Sequence, residues 1–377
     1  MTTNTERLGV FPPGEFIKDE MEERGWSQSD LADILGRSSK LVSEILSGKR
    51  GITPETAKGL GDAFGTGAQV WLNLESAYRL SLVDDSADNA VSRKARLYEK
   101  APVKEMIRRG WIEDSKSIGR LEGRVMEFFQ IQSINEEPSL LAAARAKDSE
   151  ARAWTPSQLA WMFRALQLGS MVSASAYSKS KLRSAISKLR HLLADAENVR
   201  LVPPVLADAG VRFVIVEHTK GSRIDGATLW LDRKSPVVAM SLRFDRVDYF
   251  WHTLLHELAH VLEGTHEVGL DVGIAGPDAT REDWSESEHQ ADGFAVEKLV
   301  PQEELAGFIR RVGPLYSEKR IVAFAALHKI HPALVLGQLK HRGEVPWKNL
   351  ARIHTKIRET VTDAALCDGW GHVPPRG

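Results

Sequence analysis

The sequence predicts a mainly α-helical fold with one small β-sheet, an α+β class, and three observations predict it. Apolar residues recur at helical spacing through the first 200 positions, punctuated by hydroxyl and proline start signals. Between 211 and 242 the pattern changes to short runs rich in β-branched residues, and from Asp245 to about Lys356 helical spacing returns. The chain of 377 residues is 42% hydrophobic and 27% charged, which excludes wholesale disorder and leaves room for two or three domains.

The first 80 residues read as short helices. Ser27 precedes QSDLADIL with Asp30 three residues on, the acidic variant of a capping box. Thr53-Pro54-Glu55 opens another helix with a hydroxyl cap, a proline in the first turn and an acid near the positive helix end. SQSDLADILGRSSKLVSEILSGKRG therefore reads as helix, glycine-bearing turn and second short helix. Leu31, Ile34 and Leu35 are expected to pack against Val42, Ile45 and Leu46, leaving Ser39, Lys40, Ser43 and Glu44 outward. That is a helix-turn-helix layout, whose second helix enters the DNA major groove.

Charge sharpens the expectation. Residues 37–50 carry a net +3 and residues 15–33 a net −5, so one end can meet phosphates while the other faces solvent or protein. Gln28, Ser39, Lys40, Ser43, Lys49 and Arg50 are the candidate DNA-binding residues. The alternative is an ordinary helical hairpin with a solvated charged face. The whole chain has a net charge of −1, which excludes a globally basic nucleic-acid coat and confines any such contact to a local patch.

From about 86 to 200 the pattern stays helical, with Leu182, Ile186, Leu189 and Leu193 on one face and a start at Thr155-Pro156. The basic cluster from Lys179 to Arg190 reads as the wet face of a helix. VRFVIVEH (211–218), ATLWLD (227–232) and PVVAMSL (236–242) suggest a small antiparallel sheet. The final CDGWGHVPPRG reads as a loose tail.

The chemistry lies in TLLHELAHVLEG. Trp251, Leu254, Leu255, Leu258 and Leu262 mark a helix with one buried face, which Gly264 ends. His256 and His260 are four apart, so both imidazoles can reach one ion at about 2.0–2.1 Å. Glu257 lies beside them as a general base for water.

A catalytic zinc needs a third protein ligand and an open position. Glu288 in EDWSESEHQADGFAVEKLVP is the candidate, with Asp292 four residues on to hold the far nitrogen of a ligating histidine. The competing reading makes these acids a solvated helix face. His252 extends the stripe, but a span of about 12 Å prevents three rings from sharing one ion, so it reads as a polar neighbour or packed histidine. His289, His328 and His331 are ordinary structural or exposed histidines on this reading.

A single cysteine, Cys367, excludes a disulfide framework and a thiolate zinc site. With no secretory signal pattern and no apolar run of about 18 residues, no membrane contact and a cytoplasmic location are expected.

Two families are resembled. PPGEFIKDEMEERGWSQSDLADILG, SGKRGITPETAKGLGDAFGT and WLNLESAYRL, within residues 12–80, resemble HigA-type antitoxins of the cro/repressor helix-turn-helix class. From about 205 to 345, HELAH (256–260), the E-x-x-A-D-x-F-A run from Glu288 to Ala295 with Leu299 and Pro301, and IHPALVLGQL (330–339) resemble the ImmA/IrrE zinc metallopeptidases. The resemblance implies a gluzincin-like peptidase that cleaves a repressor or antitoxin, with His256, His260 and Glu288 as Zn2+ ligands and Glu257 as general base. It also implies that PVVAMSL is an edge strand to which a peptide adds. His252 departs from the pattern, which has an apolar residue there.

The expected organisation is a helix-turn-helix DNA-binding domain at 1–80, a helical connector at 81–204, a metallopeptidase domain at 205–360 and a flexible tail at 361–377. The expected function is a DNA-binding regulator or antitoxin-like protein with a zinc-dependent endopeptidase domain. Its partners are operator DNA, a protein substrate or toxin, and a second copy, because helix-turn-helix units bind two half-sites about 34–36 Å apart as dimers. The alternative is a non-proteolytic antitoxin or transcription factor whose metal domain senses a ligand or binds a toxin.

Overall fold

The computed structural model describes residues 11–82, 85–140, 154–264, 269–272, 284–372 and 374. They form two compact units, one ending at Arg93 and one beginning at Lys94.

The first unit holds five helices: α1 (Pro13–Arg24), α2 (Gln28–Leu35), α3 (Ser39–Leu46), α4 (Pro54–Phe64) and α5 (Ala68–Ser81). Its core is Ile17, Met21, Leu31, Val42, Ile45, Leu60, Phe64 and Trp71. The start signals act as their chemistry dictates. Ser27 Oγ accepts from Asp30 N while Asp30 Oδ2 accepts from Ser27 N, closing the capping box that begins α2. Thr53 caps α4 in the same sense, through Thr56 N. One packing expectation is corrected: Ile34 is 48% exposed, while Leu31, Ala32 and the half-buried Leu35 are the α2 residues that join the core.

Helices α6 (Asp85–Lys100), α7 (Val103–Arg108), α8 (Ile118–Phe129), α9 (Pro156–Met171), α10 (Lys179–Arg190) and α11 (Val202–Asp208) lead to the sheet. Strands β1 (Arg212–Val216), β2 (Ile224–Trp230) and β3 (Pro236–Met240) precede α12 (Val247–Glu263) and β4 (Gly269–Val272). Then come α13 (Glu286–Leu299), α14 (Gln302–Val312), α15 (Glu318–Leu327), α16 (Pro332–His341), α17 (Arg358–Thr362) and β5 (Leu366–Asp368).

The sheet has five strands in the order β4-β2-β3-β1-β5. It is mixed, which corrects the antiparallel expectation: β1 runs parallel to both β3 and β5, while β2 is antiparallel to β3 and β4. A parallel pair must be covered on both faces, and this one is. Phe213, Ile215, Val238 and Met240 join the core built around α12. Val214, Val216, Val237 and Ala239 face the other way and join α8 and α9, where Trp161 Nε1 donates to Val216 O at 2.8 Å.

Residues 97–140 and 154–171 therefore pack on one face of the sheet, and residue 204, where a boundary is expected, lies inside the second compact unit. The resemblance made PVVAMSL an edge, but β3 lies between β2 and β1 with both sides paired, so no peptide can add there. Among the described residues the edges are β4 and β5.

The loose tail is corrected too. Leu366–Asp368 pairs with β1, Cys367 is buried, and Asp368 Oδ2 accepts from Trp111 Nε1 at 3.0 Å and pairs with Arg164 Nε. Those bonds order a segment whose composition alone carries turn signals; residues 373 and 375–377 lie outside the described part. Among the described residues, no single helix is long and apolar enough to cross a membrane.

Candidate functional site

Helix α12 carries the candidate metal site. Phe250, Trp251, Leu254, Leu255, Leu258 and Val261 bury one side in the core, which holds the histidine side in fixed orientation. Gly264 ends the helix at φ 71°, a left-handed conformation that glycine adopts without a Cβ clash, and its N–H bonds His260 O. Helix α13 packs beside it through Ala291, Ala295 and Leu299. Its first turn is fixed by Ser285, whose Oγ accepts from Glu288 N at 3.3 Å and so sets where the Glu288 side chain leaves the backbone.

The two helices bring His256, His260 and Glu288 together, with one donor atom from each inside a 4.8 Å group. His256 Nε2 lies 3.0 Å from Glu288 Oε2 and 3.1 Å from His260 Nε2, and His260 Nε2 lies 3.6 Å from Glu288 Oε1. Tetrahedral donors at about 2.0–2.1 Å from an ion sit about 3.3 Å apart, so the three separations bracket the edge of such a site. Two nitrogens and one carboxylate are also the donor chemistry that zinc accepts, with a fourth position left for water or substrate. Burial raises the Glu288 carboxyl, but hydrogen bonds from His256 and His260, and then their charges, outweigh it and hold the group well below the usual carboxylate range.

Glu257 is fully buried against the sheet. Thr228 Oγ1 donates to Glu257 Oε2 at 2.7 Å, fixing that carboxylate on the strand next to the edge. Gly226, also on β2, makes the room: a Cβ there would stand 2.4 Å from Glu257 Oε1 and 2.9 Å from Thr253 Cγ2. Gly226→Ala is expected to lower stability by about 1–3 kcal/mol through overpacking. Gly123→Ala on α8, where a Cβ meets nothing within 4 Å, is expected to leave stability unchanged or raise it by about 0.5–1 kcal/mol. Thermal unfolding of the two variants checks this; equal midpoints would contradict the packing of Glu257 on β2.

Asp292, expected on a ligating histidine, has its Oδ1 3.1 Å from His252 Nε2. His252 thus gains a carboxylate partner of its own beside the candidate metal group, and its ring stacks on His341 at 6.4 Å. The acid facing the far nitrogen of a candidate ligand is Glu263, whose Oε2 lies 3.7 Å from His260 Nδ1 and accepts from Ser287 Oγ at 2.7 Å. At 3.7 Å this is an ion-pair distance rather than a hydrogen bond.

Spacing did not single out Ser285, Thr228, Gly226, Glu263 or Trp284, whose ring is 6.4 Å from that of His256. Only Ser285 carries a local signal, a hydroxyl three residues before an acid. Trp284 also belongs to an aromatic group with Phe244, Tyr249 and Trp347, where burial pushes the Tyr249 hydroxyl up to about 12.

In the first unit, Gly36 turns the chain between α2 and α3 at φ 62°, and Ser38 Oγ caps α3 through Leu41 N. Ser39, Lys40, Ser43, Lys49 and Arg50 are exposed on and just after α3. Gln28 is half-buried, and its Nε2 donates to Ser39 O at 2.9 Å, so it ties the two helices together at the start of α3. The exposed Arg50 pairs with the half-buried Glu44 at 3.5 Å, a surface pair worth little in water.

Two short capped helices joined by a glycine turn, with the second presenting a polar and basic face, define a helix-turn-helix regulator. The chain belongs to the Helix-turn-helix family (HTH_3), matched over residues 17–71. It is similar to the HTH-type transcriptional regulator YddM of Escherichia coli K12, at 34% identity over 22% of this chain and 88% of that protein. It is also similar to virulence-associated protein I of Dichelobacter nodosus, at 40% identity over 20% of this chain and 72% of that protein. Similar solved structures include the Pseudomonas aeruginosa antitoxin HigA with higBA promoter, at 39% identity, 19% and 80% coverage and a TM-score of 0.19. Another is Pseudomonas aeruginosa PA4674 in complex with its operator DNA, at 33% identity, 22% and 95% coverage and a TM-score of 0.21. Each match covers about a fifth of this chain.

Proposed function

We propose that this helix-turn-helix regulator binds operator DNA through α3 and carries a zinc-dependent endopeptidase in its second unit, which cleaves a repressor or antitoxin. The observation that carries the reading is the group of His256 Nε2, His260 Nε2 and a Glu288 oxygen within 4.8 Å, with Glu257 buried one residue from the first ligand. His256, His260 and Glu288 hold the ion. When bound, zinc supplies Lewis acidity, which polarises a peptide carbonyl and brings the proton loss of water toward neutral pH.

The protein's own groups do the rest. Thr228 holds Glu257 in place through Oε2, and the Glu257 carboxylate receives the water proton and passes it to the leaving amine. Trp284 and the aromatic residues around Tyr249 form an apolar wall beside His256, which excludes water from one side of the reacting bond. With β3 enclosed, a peptide substrate pairs instead along β4, the edge strand next to the β2 residues that support Glu257. A second copy of the chain completes the operator complex, one recognition helix for each half-site.

The test is incubation of the zinc-loaded chain with repressors and antitoxins encoded beside its gene, read by intact-mass spectrometry. A new pair of fragments, whose masses sum to substrate plus one water, is expected. Every candidate remaining whole while the chain holds zinc and binds its operator would favour a regulator that senses through its metal domain without cutting.

A further inference from the structure

The rear of α12 borders a second site. A cavity of about 1170 Å³ lies between α10, α12, α13 and the junction of α15 with α16. That is at or above the size of sites that enclose small organic ligands. Its floor is apolar, formed by Ile186, Leu189, Leu193, Trp251, Leu255 and Ile330, all buried. Its charged lining is of one sign: Arg183, Arg190, Lys298 and Lys329, joined by His191 and His328, with no Asp or Glu among the lining residues. In a chain whose net charge is −1, such segregation marks a place that attracts an anion.

The polar groups around this space are only partly used by the fold. Arg190 is committed, since its Nη1 donates to Leu299 O at 3.3 Å and to Lys298 O, capping the end of α13. Lys298 Nζ rests over the Phe294 ring at 5.5 Å. Arg183 and Lys329 are exposed. Two wall residues also carry buried polar atoms with no hydrogen-bond partner, the indole Nε1 of Trp251 and Nε2 of His328. Buried polar atoms are nearly always paired, so two in one wall are unusual for a surface that exists only to pack.

We propose that this cavity binds a small amphiphilic anion, an apolar chain or ring system ending in a carboxylate or phosphate. The apolar body lies on Leu189, Leu193, Trp251 and Leu255, and the head group meets Arg183 and Lys329. An apolar floor alone would admit any hydrophobe; the one-signed rim selects the anion. Trp251 and Leu255 lie on the opposite side of α12 from His256 and His260, since four residues along a helix share a face and these pairs are offset around it. The inference does not depend on the metal reading, because none of the lining residues belongs to the candidate metal group.

Isothermal titration of the full chain with dodecanoate, kept below its micelle concentration, tests the assignment. Expected is one saturable site per chain, with dodecanoate at least tenfold tighter than dodecyltrimethylammonium of the same tail length. Dodecyl phosphate, titrated in parallel, distinguishes a carboxylate from a phosphate head. Two exposed wall positions supply the variants: Ala326→Trp fills the cavity and Arg183→Glu reverses its charge. Each is expected to weaken dodecanoate at least tenfold while the unliganded thermal midpoint stays that of the wild type. Equal affinity for dodecanoate and dodecyltrimethylammonium, binding indifferent to both variants, or no saturable binding would each overturn the proposal.

Discussion

Glu257→Gln is expected to lower peptide hydrolysis by about 10²–10⁴-fold while leaving zinc content at that of the wild type. Gln keeps the volume of the buried side chain, and its carbonyl oxygen still accepts the Thr228 Oγ1 hydrogen bond. What it loses is the ability to take a proton from water. The candidate metal group of His256, His260 and Glu288 is untouched, so metal analysis and cleavage should separate cleanly. Fragment formation measured by mass spectrometry, alongside zinc stoichiometry, checks both halves. Full activity in this variant would remove Glu257 from the mechanism; loss of zinc as well would assign it to the site's structure instead.

The second large effect concerns DNA. Lys49→Glu with Arg50→Glu changes the local charge by −4 at two exposed positions that follow α3. Operator affinity is expected to fall about 10–100-fold at moderate salt, and the slope of log K against log salt to fall by about 2, as two phosphate contacts disappear. The loss should be similar for operator and unrelated DNA, because phosphate contacts carry no sequence information. The Glu44 partner of Arg50 is only half-buried and its pair with the exposed arginine is a loose 3.5 Å contact, so little is given up when the arginine goes and the fold should hold. Fluorescence anisotropy across a salt series measures both quantities. An unchanged slope would move the DNA contact elsewhere on the first unit.

Local features proved legible where one short stretch of chain decides them. The capping box at Ser27, the αL ending at Gly264 and the exposure of Ser39, Lys40 and Ser43 all follow from spacing within a few residues. The nearness of His256 to His260 follows from the helical repeat alone. Features that depend on how distant elements meet were not legible. Which histidine Asp292 reaches is set by the rotation of α13 against α12, and that rotation brought it to His252. Ile34 shares the apolar spacing of α2, yet it stays exposed while Leu31 is buried, a difference that depends on which neighbours cover the helix.

The sheet shows the same limit. Three strands were readable as short β-branched runs, though not their ends, and the parallel pairing of β1 with β3 requires a crossover that no local turn signal records. The strand at Leu366–Asp368 sits in Gly- and Pro-rich sequence and is held by a hydrogen bond from Trp111, more than 250 positions earlier. Thr228 and Gly226 support Glu257 from strand β2, so nothing within the HELAH run of α12 could reveal them.

Anomalous diffraction at the zinc edge, from crystals of the full chain grown with zinc, bears most directly on whether the two neighbouring helices form an ion-binding centre. A single strong peak ligated by His256 Nε2, His260 Nε2 and a Glu288 oxygen is the predicted result. A peak held by His252 and Asp292, or none between α12 and α13, would contradict it.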